Sequence, residues 1–143
     1  MTLSPPIIVA IEDRERLRLL LEQHSATEVI EQLEVELDRA RTMPWDQVPA
    51  DVVVMNSELE YEVVASGQRR QLQLVYPTDA DTAGGRVSVL APLGCALLGL
   101  QVGQEIDWRM PGGLRRLRVV AVRHPAAKPL PLWSDPADSA LRS

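Results

Sequence analysis

Between positions 86 and 100 the chain reads Arg86-Val87-Ser88-Val89-Leu90-Ala91-Pro92-Leu93-Gly94-Cys95-Ala96-Leu97-Leu98-Gly99-Leu100. An alternating run meets a proline, and an apolar run is then stopped by glycine. This order restricts the segment to a strand, a sharp turn and a short helix over residues 93–98. Pro92 suits the first helical position, where its missing N–H is unneeded and its fixed φ is already helical. Gly99 is a natural C′ stop, and Gly94 lets another backbone approach closely. Val102-Gly103-Gln104-Glu105 and Pro111-Gly112-Gly113 follow as turns. Ile106, Trp108 and Met110 alternate between them, so a hairpin comes next. The turn Leu90-Ala91-Pro92-Leu93 is rigid and apolar, and such a turn loses little entropy when a partner covers it.

The residues before this segment continue the strand pattern. The apolar run 52–55 opens it. Leu59, Tyr61 and Val63 then alternate with Glu58, Glu60 and Glu62, as in a half-buried strand. Ser66-Gly67 marks a turn, Leu72, Leu74 and Tyr76 alternate to Pro77, and residues 78–85 read as a polar loop. Beyond the hairpin turn, Leu117, Val119 and Ala121 continue an inward face, with Arg116 and Arg118 outward. Runs of strands with one late helix predict an α+β domain with an antiparallel sheet.

The N-terminal third has a different period. Residues 7–11 are a short β-like run, and Asp13 is placed to cap a helix beginning at Arg14. Leu17, Leu20, Leu21 and His24 share one helical face. Ser25-Ala26-Thr27-Glu28 has the capping-box spacing, and a second helix to about Thr42 carries Ile30, Leu33, Leu37 and Ala40 on one face. Two amphipathic helices with almost no loop between them predict an antiparallel helical hairpin, a short coiled coil. Pro44-Trp45-Asp46-Gln47-Val48-Pro49 breaks the second helix, and Trp45 there is expected to pack the helices onto the next domain. The organisation expected is a hairpin over 1–43, a linker over 44–50, a sheet domain over 51–125 and a loosely held tail over 126–143.

Charge and composition exclude several functions. The net charge of −5 lies wholly in residues 1–50, with ten acids and five bases; the remaining residues hold ten of each. A negative chain without a basic block is poorly suited to grip nucleic acid, so a protein partner is expected. Glu31, Glu34 and Asp38 form an acidic stripe beside the apolar face of the second helix, either a solvated face or a surface for a basic groove. One cysteine cannot form an internal disulfide, and no apolar run approaches the ~20 residues of a membrane span. With no signal-peptide core at the N-terminus either, a cytoplasmic location is expected. His24 and His124 lie far apart in sequence and outside any metal spacing, so no metal is expected. Cys95 falls inside an apolar helix and reads as a buried small hydrophobe rather than a nucleophile. No phosphate-loop or dinucleotide motif occurs, so neither cofactor nor kinase chemistry is expected.

Several stretches together resemble a known family. These are Leu33-Glu34-Val35-Glu36-Leu37-Asp38-Arg39-Ala40, Pro49-Ala50-Asp51-Val52-Val53-Val54-Met55-Asn56-Ser57, Leu74-Val75-Tyr76-Pro77, and residues 91–103. In this order they are similar to the bacterial Gre transcription factors across nearly the whole chain, and most similar to their short relatives, the regulators of nucleoside diphosphate kinase. The resemblance implies an FKBP-like C-terminal domain that docks on RNA polymerase at the mouth of its secondary channel. An S-P-I segment contributes to docking in Gre factors; the matching position here is Ala91-Pro92-Leu93. It implies Ala91, Pro92 and Leu93 as polymerase contacts, flanked by Gly94 and Arg86.

Gre hairpins also carry acidic residues at their tips, which hold a metal at the polymerase centre for transcript cleavage. This chain departs from that pattern. Its helices span roughly 16 Å and 24 Å at 1.5 Å per residue, much shorter than Gre hairpins, and the tip Gln23-His24-Ser25-Ala26-Thr27 holds no acid. The implied protein is a non-catalytic, monomeric regulator that competes with Gre factors and influences nucleoside diphosphate kinase levels. Two other readings stand beside it. One is an FKBP-like prolyl isomerase, set against the absence of Phe and the scatter of Trp45, Trp108, Trp133, Tyr61 and Tyr76. The other is a true cleavage factor with Glu22, Glu28 and Glu31 as metal ligands.

Overall fold

The computed structural model describes residues 7–25, 27–81, 83–110 and 113–125, with backbone only at 109 and 110. Strand β1 (Ile8–Ala10) runs directly into helix α1 (Ile11–Glu22); α2 (Glu28–Arg39) and β2 (Arg41–Met43) follow. A 3-10 turn (Trp45–Gln47) leads to β3 (Glu58–Val63), β4 (Gln68–Val75) and a second 3-10 turn (Pro77–Asp79). The chain then forms β5 (Arg86–Ser88), α3 (Pro92–Leu97), β6 (Glu105–Met110) and β7 (Gly113–Arg123). The last five strands make one sheet in the order β5-β4-β3-β7-β6, and β1 and β2 make a separate parallel pair. The α+β class follows the sequence pattern. The tail 126–143, the turn residues Pro111 and Gly112, and Ala26 lie outside the described residues.

Boundaries in the N-terminal part differ from those the sequence suggests. Helix α1 starts at Ile11 with Ala10 at its N-cap, so Asp13 does not cap it. Asp13 is buried instead, and its Oδ2 accepts from the distant Met55 amide at 3.1 Å. Thr27, not Ser25, caps α2: its Oγ1 accepts from the Ile30 amide at 3.2 Å. The Ser25–Glu28 box cannot form because Glu28 is already the first helical residue. Helix α2 stops at Arg39 rather than near Thr42, because residues 41–43 are drawn out as a strand against β1. Each helix is therefore 12 residues, about 18 Å long. His24 is exposed and donates from Nδ1 to the Leu20 carbonyl at 2.8 Å, which removes it from the apolar face.

In the sheet, Leu59, Tyr61 and Val63 face inward as their alternation requires. The β3–β7 register slips between Glu60 and Tyr61: Tyr61 pairs with Val119 but Glu60 with Ala121. The extra residue is a β-bulge, and it inverts the parity of the β7 residues beyond it. Ala121 is consequently exposed, and Val122 packs on the core in its place. The sheet is also not wholly antiparallel, since β5 runs parallel to β4 with Val87 opposite Leu74. Residues 76–85 provide the return path that a parallel partner needs, closed by the Asp81–Arg86 bridge. The run 52–55 is buried but is not a strand. Its amides bond elsewhere: Val53 N to Leu100 O at 2.8 Å, and Met55 N to Asp13.

Leucines from every layer meet in one core. Leu17 of α1 and Leu33 and Leu37 of α2 join Leu74, Leu97, Leu100 and Leu117, all essentially inaccessible to solvent. Each such side chain stabilises the fold by roughly 1.5–3 kcal/mol. A smaller cluster of Ala10, Val48, Val52 and Val54 carries Trp45 and Met43 at its edge. Trp45 also meets the His124 ring at a centroid separation of 5.8 Å, joining the connection after β2 to the end of β7.

Candidate docking surface

The turn between β5 and α3 is built by Ser88. Its Oγ accepts from the Leu90 amide at 3.0 Å, and its carbonyl accepts from the Ala91 amide at 3.0 Å. The Val89 amide anchors the same stretch to Val75 O at 2.9 Å. Ala91 is then the extended N-cap, Pro92 opens the helix, and the Ala91 carbonyl accepts from Cys95 N at 2.9 Å. Pro92 is exposed at this corner, and Ala91 and Leu93 are half-buried beside it. Leu93 packs its inner side on the core. The result is a preformed apolar corner whose backbone is already fixed.

Gly94 holds the corner down. A β-carbon there would lie 2.2 Å from the Ser88 carbonyl oxygen and 3.1 Å from the Leu74 side chain. Gly94 is itself buried, so it shapes the corner and does not reach its surface. Gly99 ends the helix at φ +83°, at the C′ position, and a β-carbon there would meet Ile7 Cβ at 2.7 Å. The same glycine accepts from Ile8 N through its carbonyl at 3.1 Å, so the helix stop also docks β1.

Arg86 lies apart from that corner in character. It is exposed at the start of β5 and borders a shallow basin of about 740 Å³ with Glu58, Glu60, Gln71, Gln73 and Arg123. Much of the surrounding outer face is charge-paired. Arg123 meets Glu58, and Arg69 meets Glu60 at 3.5 Å and Glu62 at 3.6 Å. Arg116 meets Asp107 at 3.3 Å, and Arg118 meets Glu105 at 3.1 Å. Arg116 and Arg118 of β7 are thus matched by acids from β6 and form a solvated, paired face.

On the helices, Glu31, Glu34 and Asp38 are exposed along α2, as the stripe required. Asp38 is engaged with Arg18 of α1 at 2.7 Å, while Glu34 and Glu31 lie one and two turns nearer the α1–α2 connection. Glu22, Glu28 and Glu31 are all exposed, and among the described residues no group of three His, Cys, Asp or Glu is placed to hold a metal ion. Cys95 is buried inside α3, and that burial, reinforced by Glu36, pushes its thiol up to about 12. A thiol so raised is protonated at neutral pH and is not a nucleophile. Burial likewise raises the Tyr76 phenol, with Asp13 adding to it.

Ser88 is the contributor that composition and motif reading passed over. Its signal was local: a serine two residues before the amide it accepts from, ahead of a proline.

A pair of twelve-residue helices joined to a five-stranded sheet, with a proline-led corner on α3, is matched among transcription factors of the Gre type. The family model described as "Transcription elongation factor, GreA/GreB, C-term" matches residues 48–124, and the one described as "Rnk N-terminus" matches residues 5–42. A solved structure from Nitrosomonas europaea, titled prokaryotic transcription elongation factor GreA/GreB, superposes with a TM-score of 0.74 at 45% identity. That match covers 84% of this chain and 99% of the other. Elongation factor GreA of Methylococcus capsulatus is 33% identical over 96 residues, 66% of this chain and 61% of its own. The regulator of nucleoside diphosphate kinase of Escherichia coli (strain K12) is 41% identical over 112 residues, 77% of this chain and 82% of its own. The chain therefore belongs to the GreA/GreB family, in its branch of regulators of nucleoside diphosphate kinase. No helix among the described residues is long and apolar enough to cross a membrane.

Proposed function

We propose that this chain is a non-catalytic transcription regulator that docks on RNA polymerase near its secondary channel through Ala91, Pro92 and Leu93. The observation that carries the reading is the corner itself. Pro92 is exposed on a backbone fixed by Ser88 and by the close seat of Gly94, so an apolar contact is presented at low entropic cost. In this reading the sheet with α3 is the FKBP-like domain of a Gre factor, and α1 with α2 is the short counterpart of the Gre helical hairpin. Arg86 flanks the contact, and Gly94 sets its shape. Glu31 and Glu34 add electrostatic steering toward a basic channel wall.

The same reading assigns no transcript cleavage to the chain. Two helices of 12 residues reach only about 18 Å each. The described tip residues Gln23, His24, Ser25 and Thr27 bring no carboxylate to the reacting phosphate, where metal-assisted hydrolysis needs several. Occupying the channel without cleaving makes the protein a competitor of Gre factors. Its effect on nucleoside diphosphate kinase levels then follows from transcription. A fold shared with prolyl isomerases does not confer their activity. The protein acts as a cytoplasmic monomer in this reading.

The test is competition. Labelled protein is bound to core RNA polymerase and a Gre factor is titrated in. Mutual displacement is expected, with no shortening of transcripts in stalled complexes. Binding that a Gre factor does not displace would overturn the channel assignment, and transcript shortening would overturn the non-cleaving one.

A further inference from the structure

Adjacent carboxylates in the first turn of α1 hold two separate loops. Glu12 Oε1 accepts from the Trp45 amide at 3.0 Å, and Asp13 Oδ2 accepts from the Met55 amide at 3.1 Å. Between them they bracket residues 45–55, the connection from the helices to the sheet. Asp13 is the buried member, only 1% exposed. Among the described residues its Oδ1 has no hydrogen-bond partner, and neither does the buried Tyr76 hydroxyl. The charged or titratable groups that face Asp13 are Glu12 and Arg16 on α1 and Tyr76 just beyond β4. An ionised carboxylate in this position has one backbone N–H and little else to replace its water. The neutral acid fits better, with Oδ2 accepting from Met55 and the proton on Oδ1.

We propose that Asp13 is a proton-operated clasp: as the neutral acid it stays buried and holds α1 on residues 52–56, and on ionisation its demand for water outweighs its stronger bond to the Met55 amide, favours opening of that contact and loosens the connection between helices and sheet. Burial pushes this carboxyl up from 3.8 to about 7, with the Met55 amide opposing the shift and Glu12 adding to it. The folded chain thus keeps a proton that the unfolded chain has lost. Stability from this group is complete below about pH 4 and is lost as pH rises through about 7. Ionisation near neutral pH consequently sets how firmly the helices sit on the sheet.

The experiment is urea unfolding of the full chain and of Asp13→Asn from pH 4 to 9. Asparagine keeps an acceptor for Met55 and cannot ionise. The folding constant of the wild type relative to the variant is expected to fall about tenfold per pH unit from about pH 4 to 7, then level off. A ratio that stays constant across that range overturns the proposal. If the variant does not fold, the wild type answers by itself. Its Asp13 carboxyl should titrate near pH 7 by carbon NMR, and protection of the Met55 amide, corrected for intrinsic exchange, should fall over the same range. A titration near pH 4, or protection that ignores the ionisation, overturns the clasp.

Discussion

Gly94 sits so close to Ser88 that a β-carbon on it would lie 2.2 Å from the Ser88 carbonyl oxygen. One end of α3 is thereby seated on the turn that precedes it, and Pro92, two residues earlier, is presented outward. The relationship links a backbone requirement to the proposed contact. Gly94→Ala should force α3 away from β5, since the obstructing atom is backbone and cannot swing aside. A loss of about 1–3 kcal/mol is expected for such overpacking. Urea unfolding measures it, and polymerase binding should weaken in a variant that still folds.

Pro92→Asp separates contact from scaffold. Pro92 is exposed and aspartate is acceptable near a helix N-terminus, so stability should change by no more than about 0.5 kcal/mol. Recovery of core RNA polymerase in a pull-down should drop at least about tenfold, an anchor lost in the manner of an interface hot spot. Equal recovery by the wild type and the variant would remove the corner from the docking surface.

The start of α2 offers a paired measurement. Thr27 Oγ1 accepts from the Ile30 amide, so Thr27→Ala should cost about 1 kcal/mol. Ser25→Ala should cost less than about 0.5 kcal/mol, because Ser25 is exposed and outside the helix. Thermal or urea denaturation of the two variants distinguishes the caps directly.

The bulge makes opposite predictions for neighbours. Ala121 is exposed and Val122 packs on the core. Ala121→Lys, placed opposite Glu60, should be nearly neutral, whereas Val122→Asp should lose roughly 2 kcal/mol or more by placing a charge against apolar side chains. If both changes cost the same, the register slip between Glu60 and Tyr61 is not as described.

Cys95 should behave as a reporter of unfolding. Its thiol is buried and raised to about 12. Alkylation by iodoacetamide at pH 8 should be at least about a hundredfold slower in the folded chain than in urea, given the lost thiolate and the lost access. A folded chain labelled as fast as the unfolded one would place the thiol at the surface.

Local chemistry made most of the sheet domain legible. The alternation at Leu59, Tyr61 and Val63, the proline at N1 of α3 and the glycine at its C′ position each depend on neighbours within a few residues. The exposed corner at Pro92 and the acidic stripe on α2 were readable for the same reason: helical and strand periods assign faces without knowledge of partners.

The tertiary structure decided everything that depends on a distant partner. Asp13 looked like a cap because acids cap helices locally, but an amide 42 positions away claimed its carboxylate. Residues 41–43 looked like the end of a helix until β1 drew them into a parallel pair. Ala121 looked buried until one extra residue in β7 reversed the alternation. Periodicity and capping are energies of the chain with itself over one or two turns. Register, bulges and the burial of a single carboxyl are energies of packing between segments far apart in sequence, and these are fixed only when the core closes.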